Sequence, residues 1–162
     1  MRKNYFVIAA AFLVLLITGC TKDQTNSFSA SVTATIGTSQ FSSSRNNVNV
    51  GESSPVQGGT VGGTEQVTIT ATSDASSDNF LVISFGYAAN DVKTYQVSNQ
   101  EAICAYHAAN SSNDDLATSG SVTITSNDKS DVSDGKHLTG TFDFTTQGGI
   151  HITGDFSVQV NY

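Results

Sequence analysis

The chain has 162 residues and a formal net charge of −7 at pH 7, with 14 acidic against 7 basic side chains. This balance argues against nucleic acid and anionic membrane surfaces as partners, because both would repel the protein. The composition is rich in Ser, Thr, Asn and Gly, with one proline and no tryptophan, and alone it would suit a disordered chain. Regular apolar alternation predicts a folded domain instead.

The first nineteen residues fall into three zones. Basic residues at positions 2 and 3 precede an apolar run over 6–17, and small residues occupy positions 18 and 19. The run has twelve residues, whereas a helix that crosses a bilayer needs about 20. We therefore predict a cleaved signal peptide over residues 1–19 and no permanent membrane span there.

The end of this segment resembles the lipobox of bacterial lipoproteins. Ile17-Thr18-Gly19-Cys20 has an aliphatic residue, a small residue and Gly before a Cys, and in those proteins the Cys thiol accepts a diacylglycerol. The resemblance implies that Cys20 is lipidated, with palmitate or similar acyl chains, and anchors the mature protein in the cell outer membrane. Cleavage removes two of the 7 basic residues and no acid, which leaves a balance of −9. An ordinary secretory signal followed by a chance Cys is the alternative.

Residues 20–27 are polar and lack periodicity, which is typical of a flexible tether. Within them, Thr21-Lys22-Asp23 resembles the short charged export signal that Bacteroidota-type surface lipoproteins carry behind the Cys. Lys22 and Asp23 are thus candidate export-signal residues, and the resemblance implies an outward-facing protein. A polar tether of any kind would have a similar sequence.

Residues 28–162 are predicted to form a single β domain with its own core. Apolar and polar residues alternate with period two, as half-buried antiparallel strands require. The fold class is all-β, an antiparallel β-sandwich or a small β-barrel of about nine to ten strands. The predicted strands are 28–36, 39–44, 67–70, 79–87, 93–98, 102–108, 122–125, 142–144, 149–152 and 156–162.

Residues 101–109 contain alanines that would also allow a short helix, and we predict a strand there. Cys104 lies in this segment. Acylation of Cys20 would leave Cys104 without a disulfide partner, which excludes a stapled secreted scaffold. Its apolar neighbours indicate a small buried thiol, since a nucleophile would need a base and a lowered pKa.

Two sets of short motifs match known functional motifs only weakly. The glycine-rich residues 54–64 lack the spacing of a phosphate-binding loop and precede a strand, not a helix. Ser126-x-x-Lys129 and Ser77-Asp78-Asn79 match two motifs of penicillin-recognising enzymes, but the Lys-Thr-Gly motif of those enzymes is absent from the chain. We therefore predict no catalytic residues and no enzyme activity, with a hydrolase as the minority alternative.

The most acidic turn contains Asp128, Asp131 and Asp134. These carboxylates are a weak calcium candidate, because their spacing by three fits no helix-loop-helix template, and a solvated loop is the preferred interpretation. The three histidines are far apart in the sequence, so no helical metal pair is predicted. No cofactor is expected.

The second half of the chain resembles the small Bacteroidota-type all-β lipoproteins of unknown function. Residues 140–144 read Gly-Thr-Phe-Asp-Phe, which matches the Gly-Thr-Phe-x-Phe strand of that family, and residues 153–156 read Thr-Gly-Asp-Phe in its closing strand. Phe28-Ser29-Ala30 and Gln40-Phe41 are similar to the opening of the family. The resemblance implies an all-β lipoprotein and supplies no activity.

Two functions remain open. The leading hypothesis is a non-catalytic domain, anchored at the cell envelope, that binds a protein or glycan through its loops. The alternative is a calycin-like barrel that encloses a small apolar ligand, which an apolar cavity above roughly 300 Å³ would favour. A hydrolase would need a convergent Ser, His and acid.

Overall fold

The computed structural model describes residues 30–53, 65–87, 92–128 and 136–160. These residues form ten antiparallel strands and one turn of 3-10 helix, so the all-β prediction is confirmed. The strands are β1 (Ser31–Ile36), β2 (Ser39–Ser44), β3 (Val48–Ser53), β4 (Glu65–Ser73), β5 (Ser76–Tyr87), β6 (Thr94–Gln96), β7 (Ala102–His107), β8 (Asp115–Asp128), β9 (Lys136–Thr146) and β10 (His151–Val160), and the 3-10 helix is Arg45–Asn47.

The strands form one sheet that curves into a nearly closed barrel. Its order is β2-β1-β10-β9-β8-β7-β5-β4-β3, and β6 also pairs with β8. Eight antiparallel pairings separate β2 from β3 in this order, so the two end strands run in the same direction. Since only the 3-10 helix separates them in the chain, β2 and β3 are two halves of one bent strand that joins both ends of the sheet.

A second position in the barrel is also shared by two strands. β6 and β7 both pair antiparallel with β8. β6 pairs with the middle of β8, and β7 pairs with the first two residues of β8. They therefore run in the same direction, one after the other, with residues 97–101 between them. With two shared positions, the ten strands fill eight positions around the barrel, a size whose interior is just wide enough for packed side chains.

Asp74, in the turn between β4 and β5, holds the two ends of the sheet together. Its amide donates to the carbonyl oxygen of Ser42 over 2.8 Å. Its carboxylate accepts hydrogen bonds from Asn47 Nδ2 at 2.7 Å and from the amide and hydroxyl of Ser44 at 3.1 Å. The sheet is thus closed partly by one side chain.

The barrel interior is filled by the apolar faces of the strands. The rings of Tyr95, Phe85 and Phe156 lie in series, with centroids 5.2 and 6.2 Å apart, and all three are at most 2% exposed. Period-two alternation directs these side chains inward and the intervening polar side chains outward. The core therefore occupies the space where a calycin-like barrel would hold its ligand.

Some of the predicted strands differ from those in the structure. Strand β3 was not predicted, because Val48 and Val50 are only two alternating apolar positions before Gly51. Residues 149–152 are not a separate strand: residues 151 and 152 begin β10, and residues 149 and 150 belong to the preceding turn. The segment 101–109 contains strand β7, as predicted, and no helix.

The connections divide between the two ends of the barrel according to strand direction. The short connections 37–38, 74–75, 108–114 and 147–150 lie at one end. At the other end the chain enters β1 and leaves β10, and the strands flanking 54–64, 88–91 and 129–135 also end there. No helix among the described residues is long and apolar enough to span a bilayer.

Candidate binding groove

The interruption between β6 and β7 opens the wall of the barrel. A turn over residues 97–100 separates the two strands and is closed by a 3.0 Å hydrogen bond from the amide of Glu101 to the carbonyl of Gln96. The amide of Val97 donates to the carbonyl of Gly120 on β8 at 2.9 Å. These bonds fix the turn against β8 and set the position at which β7 begins.

β7 and β8 pair over a short distance. β7 pairs with β5 over six residues, but among the described residues its ladder with β8 has two pairs, Ala105 with Leu116 and Tyr106 with Asp115. Beyond them, the register of β8 shifts between Ala117 and Ser119 as it pairs with β9. The first residues of β7 thus face β8 across a gap and not a ladder.

A pocket of about 220 Å³ occupies this gap. The floor consists of buried or partly buried residues. The rim consists of the exposed residues Gln100, Ile103 and Leu116. We call the pocket with its rim the groove. The floor residues are Val97, Ala102, Cys104 and Ala117.

The rim carries two of the three large apolar side chains that are strongly exposed in the described residues. Ile103 is 49% exposed and Leu116 45%. Elsewhere the outward positions of the barrel are mostly polar, and threonine is frequent, for example at Thr33, Thr35, Thr123, Thr139, Thr141 and Thr153. Apolar groups exposed beside a concavity, on an otherwise polar surface, are typical of an interaction site.

Acidic side chains lie beside the groove in the chain. The carboxylate of Glu101, next to Ala102, accepts a 2.9 Å hydrogen bond from the amide of Gln96. The carboxylate of Asp115, next to Leu116, accepts one from the amide of Gly148, also at 2.9 Å. Backbone amides thus hold both carboxylates in position.

Cys104 forms part of the floor and is a buried free thiol, as predicted. It is 1% exposed, and burial raises the pKa of its thiol to about 12. A thiol with this pKa is protonated at neutral pH, and only the thiolate is a strong nucleophile. Cys104 therefore supplies apolar surface to the groove and no chemistry.

The three histidines lie on separate parts of the outer surface. His107 Nδ1 is 2.8 Å from Asp114 Oδ1, and its ring stacks on Phe80 with centroids 4.5 Å apart. His151 Nε2 is 2.8 Å from Asp143 Oδ1. In the described part of the chain, no three His, Cys, Asp or Glu side chains come together as a metal site.

His137 is the histidine that meets a serine. Its Nε2 is 2.9 Å from Ser157 Oγ, and Asp128 is its partner in the β8–β9 register. Burial lowers the pKa of His137, and the charge of Asp128 opposes this shift. Ser157, however, pairs with both neighbouring strands, whose amides are engaged in ladders, so no oxyanion hole is formed beside it in the described residues.

The other motif residues are dispersed. Ser126 lies on β8 and Ser77-Asp78-Asn79 on β5, both within strands, whereas the penicillin-recognising chemistry needs its Ser and Lys one helical turn apart. Of the calcium candidates, Asp128 is an exposed residue at the end of β8. The remaining predicted positions lie outside the described residues: Cys20, Lys22, Asp23, Lys129, Asp131, Asp134, and the segments 1–19, 20–27 and 54–64.

The groove was not predicted from the sequence, although the sequence contains one signal for it. Ala102-Ile103-Cys104-Ala105 is apolar at every position, so both faces of this strand are apolar. The inward face enters the core, and the outward face must then be covered or available to a partner. Comparisons with protein-family models, curated proteins and solved structures give no match to this chain.

Proposed function

We propose that this chain is an acyl-anchored lipoprotein of the cell envelope whose barrel is a non-catalytic binding domain, with the groove between β7 and β8 as its binding site. The observation that carries the binding site is the exposure of Ile103 and Leu116 at the rim of an apolar pocket. The lipobox-like sequence at residues 17–20 supports the anchor. The likeness of its motifs to small Bacteroidota-type lipoproteins supports the same class of protein.

A calycin-like barrel for a small apolar ligand has less support. Aromatic rings fill the interior that such a ligand would occupy. The groove has about 220 Å³, below the range of roughly 300–1,000 Å³ that is usual for small-molecule sites. It also opens through the wall of the barrel, where a macromolecular partner has access.

Site-specific photo-crosslinking in living cells tests the binding site. A p-benzoylphenylalanine at position 116 should give a discrete crosslinked product, and the same residue at Thr141, exposed on β9, is the matched control. An Ile103→Asp substitution should abolish the product from position 116, because a carboxylate at the rim cannot enter an apolar contact without losing its hydration. Equal crosslinking from positions 116 and 141 would show that the groove is not the binding surface.

The anchor predicts a second result. Each buried CH₂ contributes about 0.8 kcal/mol to membrane binding, so two or three acyl chains on Cys20 hold the protein firmly. Cys20→Ala should abolish palmitate labelling and either release the protein or leave the precursor uncleaved. Undiminished labelling of this variant contradicts the anchor.

The Thr21-Lys22-Asp23 sequence supports placement on the outer face of the outer membrane. Protease treatment of intact cells tests this placement. Protein that resists digestion until the cells are lysed would lie on the periplasmic side.

A further inference from the structure

The occupant of the groove is restricted by the part of β7 that lines it. Ala102, Ile103 and Cys104 are consecutive, and all three line the pocket. Side chains of consecutive strand residues point to opposite faces, so a wall made from three successive residues includes the edge of the backbone. A strand edge next to a gap offers amide and carbonyl groups to an extended segment.

The size of the pocket restricts the side chain that enters it. About 220 Å³ is enough for one large apolar side chain but small for a free ligand with several rings. The floor is lined by Val97, Ala102, Cys104 and Ala117 and would leave a buried charge without a partner. The central residue of the segment is therefore aliphatic or aromatic.

The charge near the groove restricts the flanking residues of the segment. Glu101 precedes β7, and Asp114 and Asp115 stand at the start of β8. The whole chain has a net charge of −7, so a basic partner is attracted over a distance and an acidic one repelled. A segment with Lys or Arg beside the apolar residue is therefore attracted to this acidic protein.

From these three restrictions, and resting on the proposed function, we infer that the groove binds an extended segment of a partner protein. The segment lies along the β7 edge, places one large apolar side chain in the pocket, and carries a Lys or Arg beside it. Backbone hydrogen bonds to β7 supply part of the affinity, and the apolar pocket and the net negative charge of the protein select the sequence.

Selection from a random peptide library displayed on phage, against the full mature protein purified from cells, tests the inference. Counter-selection uses the Ile103→Asp, Leu116→Asp variant, and Thr141→Asp is the control for an added charge on an exposed strand position. The expected peptides have a large apolar residue flanked by Lys or Arg, bind the Thr141→Asp protein as well as wild type, and bind at least tenfold more weakly to the groove variant.

Backbone methylation of a selected peptide separates strand addition from simple apolar contact. Methyl groups on alternate amide nitrogens should weaken binding at least tenfold in one register and have little effect in the other, because the amides of an added strand point alternately toward and away from β7. Raising the salt concentration should also weaken binding, since salt screens the attraction between a basic peptide and this acidic protein.

A photo-crosslinker at position 116 reports where a selected peptide binds. A peptide bound in the groove should crosslink to p-benzoylphenylalanine at position 116 and not to the same residue at position 141. Peptides that crosslink at position 116 but tolerate methylation in both registers, or that lack basic residues, overturn the inference and leave the proposed binding site intact. A library without any peptide that crosslinks at position 116, together with equal crosslinking from positions 116 and 141 in cells, overturns both.

Discussion

Two glycines of the last hairpin face phenylalanines of the opposite strand. Gly154 on β10 pairs with Phe142 on β9, and Gly140 on β9 pairs with Phe156 on β10. A methyl group on Gly154 would overlap the ring of Phe142 and the carbonyl oxygen of Thr33. The missing side chain at each glycine thus provides the space in which an aromatic ring lies.

Gly154→Ala should therefore destabilise the fold, by about 1–3 kcal/mol, the usual range for overpacking. Gly51→Ala is the matched control, because a methyl group there would meet no atom within 4 Å in the described part of the chain. Urea unfolding followed by circular dichroism measures both. Equal stability of the two variants would show that the Phe142 ring moves aside at little cost.

These glycine–phenylalanine pairs also explain the motifs that were recognisable in the sequence. Gly-Thr-Phe-Asp-Phe at 140–144 and Thr-Gly-Asp-Phe at 153–156 contain both glycines and both phenylalanines of the reciprocal pairs. These two motifs, the most distinctive of the sequence, are thus explained by side-chain packing in the core. The groove residues Ile103 and Leu116 stand in no recognisable motif.

β10 lies between β9 and β1 in the sheet and joins strands from the two ends of the described chain. It pairs with β9 over ten residues and with β1 over six, and its residues 152, 156, 158 and 160 are buried. A strand buried on one face and paired on both edges is central to the sheet. The unbroken alternation of the sequence from Phe156 predicted the strand itself.

Phe156→Ala should cost about 3–5 kcal/mol, the usual loss for a buried phenylalanine, since its ring is 2% exposed and adjoins Phe85. Gln159→Ala, on the outward face of the same strand, should change stability by less than about 0.5 kcal/mol. The midpoints of thermal unfolding compare the two. A cooperative transition of Phe156→Ala near the wild-type midpoint would place this ring outside the essential core.

The elements that the sequence predicted well are those with local signals. Alternation alone located β4, β8, β9 and β10, because consecutive residues show its period of two. It predicted only residues 67–70, 122–125, 142–144 and 156–162, so the first three strands extend well beyond the prediction. The groove could not be predicted in the same way. It depends on β6 and β7 pairing with different parts of β8, and register between strands distant in sequence is a property of the assembled sheet.

The barrel as a whole is closed with the help of the Asp74 carboxylate. Three hydrogen bonds, from Asn47 and from the amide and hydroxyl of Ser44, reach it across the ends of the sheet. The hydrogen bond from Asn47 makes the largest contribution to the lowered pKa of Asp74, and burial opposes it. A carboxyl group whose pKa is lower in the folded than in the unfolded state stabilises the fold above its unfolded pKa, and loses this effect as the pH falls through the folded value.

Asp74→Asn should therefore reduce stability at neutral pH, and the difference from wild type should shrink as the pH falls from about 7 toward 2. Asp78→Asn is the control, because that carboxylate also accepts a serine hydroxyl but lies within β5, away from the closure. Urea midpoints over a pH series measure the effect. A difference that stays constant with pH would show that the carboxylate charge does not contribute to closure.

The pairing of β1 with β10 sets the order in which this molecule can be completed. A ribosome delivers β1 before β10, which is the partner of β1 on one edge. Until β10 arrives, β1 and β9 each have an open edge that can pair with another chain. The barrel therefore closes only once β10 is available, and these two edges are open to aggregation until then.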